Sequence, residues 1–198
     1  MTRAGDNRKI SNLEAGYAQS GKLIVVIDNL RLNSGVEKAI LMRNNGPNIV
    51  FLAQIERFES ELISFLADGL ASIDLDLIFT PDLSGTSESA LSEASVYRIT
   101  DKGDVSDVDP ELFDIVELTG FIKAAAGNKK IEVGNNEISF FTSNQSTTVA
   151  QAVIERFFEI PYAIEPGGEL VVFFTNEVKI GVLDADADLV MSGYSVTP

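Results

Sequence analysis

The chain reads as a mostly β protein, an antiparallel β-sandwich of jelly-roll type with few or no helices. Three observations carry this reading. Apolar and polar residues alternate at period two through several short runs rich in β-branched and aromatic side chains. Turn-forming residues punctuate the runs. Their spacing suits a sandwich or barrel better than alternating strands and helices.

Taken in order, Met1 to Ser20 has no continuous apolar region and so does not resemble a secretory signal. It reads as a polar arm, residues 1–20, carrying Arg3, Arg8 and Lys9. Such an end is either mobile or ordered against a neighbouring subunit. Strands are expected over Lys22 to Leu32 and Asn48 to Phe58. The clearest runs from Ser72 to Thr80, with Ile73, Leu75, Leu77 and Phe79 on one face. Ser72, Asp74 and Asp76 then form the opposite, wet face. Further strands are expected over Ser95 to Thr100, Ile115 to Ala124, Lys130 to Val133 and Glu137 to Thr142.

Turns are expected at Asn33-Ser34-Gly35, Asn44-Asn45-Gly46-Pro47, Pro81-Asp82, Gly127-Asn128, Gly134-Asn135-Asn136 and Pro166-Gly167-Gly168. Two segments fit a helix. Phe58 to Gly69 sets Phe58, Leu62, Phe65 and Leu66 near one helical face, with Gly69 as a stop. Thr148 to Glu159 has a capping-box spacing, but Val153, Phe157 and Ile160-Pro161 fit a strand, which is the reading adopted.

An internal echo bears on domain organisation. Ile55-Glu56-Arg57-Phe58 recurs as Ile154-Glu155-Arg156-Phe157, and each copy is followed by an apolar strand ending Phe-Thr. The acidic stretch 101–110, ending in Pro110, then reads as a linker between β modules at 21–100 and 111–198. The alternative is one jelly-roll domain over 21–198 with a long acidic loop.

Composition excludes much chemistry. With 15 basic against 30 acidic residues, a formal charge of −15 and no basic run, binding to nucleic acid or to an anionic membrane surface is disfavoured. There is no Cys, His or Trp. Thiolate nucleophiles, disulfides, imidazole-based triads and the usual zinc and copper sites are therefore gone. No phosphate-cradling glycine motif occurs. Catalytic residues are not assigned, and no cofactor is expected.

Candidate sites are few. Asp184, Asp186 and Asp188 alternate with apolar residues and share one strand face. They are the candidate cation ligands, because hard cations take several oxygens. The EF-hand pattern fails, since Leu189 stands where Gly is needed and Ser195 where Glu is needed. A solvated strand face is the simpler reading. Asp74 and Asp76 could be read as a glycosidase pair, but residues i and i+2 share a face on any amphipathic strand. The chain has 12 Phe and only 4 Tyr, which points to cores or subunit interfaces rather than sugar platforms. The adjacent pairs Phe140-Phe141, Phe157-Phe158 and Phe173-Phe174 send one ring to each face of a strand. Phe158, Tyr162, Val171 and Phe173 are the candidate interface residues, and core packing explains them as well.

The last third carries a resemblance. Ile160-Pro161-Tyr162, Glu165-Pro166-Gly167-Gly168-Glu169-Leu170, the apolar Val171 to Phe174, the turn Thr175-Asn176-Glu177 and the terminal Gly193-Tyr194-Ser195-Val196 resemble the closing strands of jelly-roll virion proteins of tailed bacteriophages. Head decoration (cement) and tail accessory proteins are of this kind. The resemblance implies a structural role without a cofactor. It implies a homo-oligomer, a trimer or a higher symmetric assembly, with the major capsid or other virion proteins as partners. The protein would be made in the host cytoplasm and located in the virion. A carbohydrate-binding or adhesin-like sandwich is the alternative; it expects exposed Tyr in a concave patch and calcium at the Asp184 strand.

Overall fold

The computed structural model describes residues 21–131, 136–143, 146–149 and 153–196, without the side chains of 67 and 129–131. The expected arm 1–20 lies outside the described residues, as do Val133 and the Gly134-Asn135 turn.

Among the described residues every regular element is a strand. In chain order they are β1 (Lys22–Leu32), β2 (Glu37–Asn44), β3 (Ile49–Phe79), β4 (Ser87–Ala90), β5 (Ala94–Ile99) and β6 (Val105–Asp107). Then follow β7 (Phe113–Thr119), β8 (Lys129–Ile131), β9 (Glu137–Ser143), β10 (Ser146–Val149), β11 (Val153–Ile164) and β12 (Glu169–Val196). The mostly β expectation holds, and all pairings are antiparallel.

The spine is a ribbon of two very long strands. β3 and β12 pair from Leu170↔Phe79 at one end to Val196↔Ile49 at the other. On β3 the ribbon is flanked by β11 along residues 50–59 and by β9 and β8 along 69–79. On β12 it is flanked by β2 along 169–175 and by β1 along 185–194. β5 and β6 extend the sheet beyond β1, and β7 and β4 extend it beyond β2.

The ribbon is doubled over. Phe58 pairs with Leu189, and Phe174 pairs with Leu75, so the two phenylalanines belong to distant parts of the ribbon. A straight strand would hold them about 50 Å apart, at about 3.3 Å per residue. Their ring centroids are 6.2 Å apart. Phe79 and Tyr162 likewise meet at 4.9 Å although Tyr162 pairs with Leu52, at the other end of β3. The sheet therefore folds upon itself near Leu66, and its two halves become the two layers of a sandwich.

The sequence supplies the means at that point. The pairing register slips between Asp184 and Ala185, between Ile180 and Val182 and between Val178 and Ile180, and such slips bend and twist a sheet. Gly181 sits at φ +81, where a Cβ would lie 2.9 Å from the Asp68 carbonyl oxygen. Only glycine adopts this conformation without strain.

One apolar core fills the space between the layers, drawing Val25 and Ile27 from β1, Phe58 and Ile73 from β3, Phe140 from β9, Phe158 from β11 and Phe174 and Leu189 from β12. Strands from 21–100 and from 111–198 thus interleave in one sheet and share one core. The two copies of the echo lie side by side, with Ile154 opposite Phe58 and Arg156 opposite Ile55.

Several expectations need correction. Phe58 to Gly69 is part of β3, not a helix. The acidic stretch 101–110 contributes strand β6, paired with β5. The run expected as a strand to Ala124 stops at Thr119, where Gly120 turns the chain at φ +81. The face of β3 bearing Asp74 and Asp76 is not uniformly wet. Ala39, Leu41, Ile78, Leu118, Val171 and Phe173 form a second, smaller apolar cluster there. The segment after β7 lies over it, with the Phe121 ring 5.9 Å from that of Phe173.

Candidate interaction surface

The four residues expected at an interface pack inside the chain. Val171 is fully buried and Phe173 is 2% exposed, both in the outer cluster; Phe158 is 5% exposed in the main core. Tyr162 packs against that core, between Phe79 and Phe158. The phenylalanine pairs behave as the period of a strand requires. Phe140 is buried and Phe141 exposed, Phe158 is buried and Phe157 exposed, while Phe173 and Phe174 are both buried because β12 is central.

Asp184, Asp186 and Asp188 do share one face of β12, each flanked by buried residues. Each carboxylate has its own partner. Asp188 accepts the Asn29 N–H at 2.7 Å, across the register slip in β1 where Asn29 sits at φ 56. Asp186 pairs with Arg31. Asp184 accepts the Ser34 N–H at 2.8 Å and the Ser64 hydroxyl at 2.9 Å. These bonds hold its carboxyl below the usual carboxylate range. The three side chains thus tie the end of β1 and the β1–β2 connection to β12. Among the described residues, no group of three or more acidic side chains is placed to hold a metal ion.

A second acidic group lies on the outer face of the β9–β3–β12 layer. Glu137 is directly across from Asp74, and Asp76 and Glu177 stand nearby. Burial, then the negative charges of Glu137, Glu177 and Asp76, push the Asp74 carboxyl up to about 6. Lys123 offsets part of this; it pairs with Asp76 and lies 5.3 Å from the Phe173 ring centroid. On the other layer, Glu56 accepts from Lys22 and from the Ser192 hydroxyl. Burial pushes the Glu56 carboxyl up, and these partners outweigh it and hold the group below its ordinary value.

The surface that stands out is apolar. Where the ribbon doubles over, Ile63, Leu66, Ile180 and Val182 are exposed on its outer curve, Leu66 by 68% and Ile180 by 57%. Leu66 is across from Val182 and Leu70 from Ile180; Leu70 also faces Phe141, exposed by 48%. The patch is therefore continuous across β12, β3 and β9. Exposed Glu61, Asp68 and Glu177 border it on the same strands, with Lys179. Single exposed apolar residues need no explanation, but contiguous patches mark interaction sites. A second apolar feature is β11, paired on one side with β3, which exposes Phe157 by 71% and Ile160 by 75%.

Sequence reasoning missed the outer curve because exposure there follows from the fold-over, not from residue type. The one signal was Gly181 between Ile180 and Val182, a break in an apolar strand that marks a bend or bulge. No family model, curated protein or solved structure matches the chain.

Proposed function

We infer that this chain is a non-enzymatic structural protein that works by burying its surface against other subunits, in the setting its C-terminal strands resemble: a bacteriophage virion, as a head decoration or cement protein. The observation that carries the reading is the apolar outer curve. An acidic chain with a charge of −15 stays dispersed through its carboxylates, yet it leaves five large apolar side chains exposed together at the fold-over. Residue chemistry supports the same reading, since the imidazole and thiol groups on which triads and the usual zinc and copper sites rely are missing from the sequence.

The alternative of a sugar-binding sandwich receives no support from the tyrosines among the described residues. Tyr194 is buried and stacks on Phe51, and Tyr97 and Tyr162 are half-buried. Sugar platforms present exposed rings.

The test is density-gradient sedimentation of a lysate in which the chain is made alongside its virus. The chain should band with intact heads and leave them less resistant to heat when its gene is deleted. A chain that stays at the top of the gradient, with heads equally robust without it, contradicts the assignment.

A further inference from the structure

We propose that the outer curve formed by Ile63, Leu66, Leu70, Phe141, Ile180 and Val182 receives residues 1–20 of a second copy, giving a head-to-tail contact between subunits. This rests on the assembly reading above and names the two surfaces that meet.

The fold places Gly21, to which residues 1–20 are joined, and the patch at opposite ends of the molecule. Gly21 leads directly into β1, whose first residue Lys22 is across from Tyr194 and Ile99. Tyr194 lies two residues from the end of β12, whereas the patch lies at the turn of the ribbon around Ile180. From Tyr194 to Ile180 is about 46 Å along the strand, at about 3.3 Å per residue. A 20-residue segment spans at most about 70 Å when fully extended. Reaching its own patch would use about two thirds of that length and leave few residues for contact. A copy stacked end to end presents its patch where the segment leaves the sheet.

The chemistry of the two parts matches. Residues 1–20 carry Arg3, Arg8 and Lys9 against Asp6 and Glu14, in a chain where acidic residues outnumber basic ones two to one. Ile10, Leu13 and Tyr17 supply apolar side chains in the same segment. The patch is apolar and bordered by three acidic residues, Glu61, Asp68 and Glu177, against one basic residue, Lys179. Apolar area at the centre with opposite charges at the rim is the usual anatomy of a specific contact. Because the two surfaces differ, the contact is heterologous, and it closes into a ring when the rotation between copies allows. A trimer is one such closed ring.

The test uses the full chain and two variants. One carries Leu66→Asp and Ile180→Asp; the other carries Arg3→Glu, Arg8→Glu and Lys9→Glu. Light scattering over a hundredfold range of concentration should show a multiple of the chain mass for the parent and a single chain for each variant. Circular dichroism should be unchanged in all three. Mixing the two variants at equal concentration should then give particles of two chains. The first variant supplies an intact N-terminal segment and the second an intact patch, so one contact forms and cannot propagate. A mixture that stays monomeric overturns the proposal and points to patch meeting patch. A parent oligomer whose mass neither variant changes overturns this contact and leaves subunit assembly standing. A parent that is monomeric throughout overturns both.

Discussion

Asp74→Asn removes one carboxylate from the crowded outer face of the β9–β3–β12 layer while keeping the shape of the side chain. Asp74 titrates at about 6 in the folded chain, against an ordinary value of 3.8. Its folded value is raised, so above pH 6 the ionised group costs the folded state stability. As pH falls from 6 towards 4 the folded chain takes up a proton before the unfolded chain does, and that cost disappears. The full difference corresponds to about 3 kcal/mol at 1.36 kcal/mol per pH unit. Asp74 is only half-buried and faces solvent, so screening reduces this to about 1 kcal/mol. For a chain of this size that is a rise of about 2–4 °C in melting temperature. Thermal unfolding by circular dichroism at pH 8 and pH 5 measures it directly. Asp74→Asn should melt higher than the parent at pH 8, and the gain should shrink to about half at pH 5, because the unfolded carboxyl is still largely ionised there. A variant that melts lower at pH 8, or whose gain is the same at both pH values, would refute the reasoning that crowding of Asp74 with Glu137, Glu177 and Asp76 is the cause.

Three further substitutions test the architecture by urea unfolding. Gly181→Ala forces a Cβ at φ +81 to within 2.9 Å of the Asp68 carbonyl oxygen and should destabilise by about 1–3 kcal/mol; no loss would mean the fold-over does not depend on that conformation. Phe58→Ala removes a fully buried ring that bridges the layers to Phe174 and should cost about 3–5 kcal/mol, whereas a loss below 1 kcal/mol would mean the layers do not meet there. Asn176 is buried and donates to the Leu32 and Leu183 carbonyl oxygens at 2.9 and 2.8 Å. Asn176→Ala leaves both acceptors without that donor, and a loss of about 2–4 kcal/mol is expected; an unchanged midpoint would show that water replaces the amide.

The parts of the fold legible in sequence are those where period two runs unbroken. β1 was expected with its observed ends because Leu23, Val25 and Ile27 alternate with less buried neighbours. The helical fit of Phe58 to Gly69, left open in sequence, has a specific cause. Phe58 and Leu62 pack inward at strand spacing, but the register slip at Ile63 inserts one residue, so the next inward ring is Phe65. The resulting spacing of four and then three imitates a helix face. β2 went unexpected because Ala39, Ile40, Leu41 and Met42 are all buried, as suits a strand with an apolar cluster on each side, and such a run carries no alternation. Sequence could not separate core from interface for the candidate interface residues, for a related reason. Hydrophobicity marks Val171 and Phe173 as needing cover, and it does not say whether the cover is the segment after β7 or another subunit. The carboxylate face of Asp184, Asp186 and Asp188 was legible as a face, but its partners Asn29, Arg31 and Ser34 lie about 150 residues away and have no local signature.

Hydrogen exchange by mass spectrometry, on the assembled chain and on a dilution that dissociates it, tests the subunit-contact account most directly. Peptides covering 63–70 and 178–182 should exchange more slowly in the assembly and return to the faster rate on dilution, while peptides in β5 and β6 exchange equally in both. Equal exchange of the fold-over in both states, with protection appearing elsewhere on the molecule, would contradict the claim that this curve is where subunits meet.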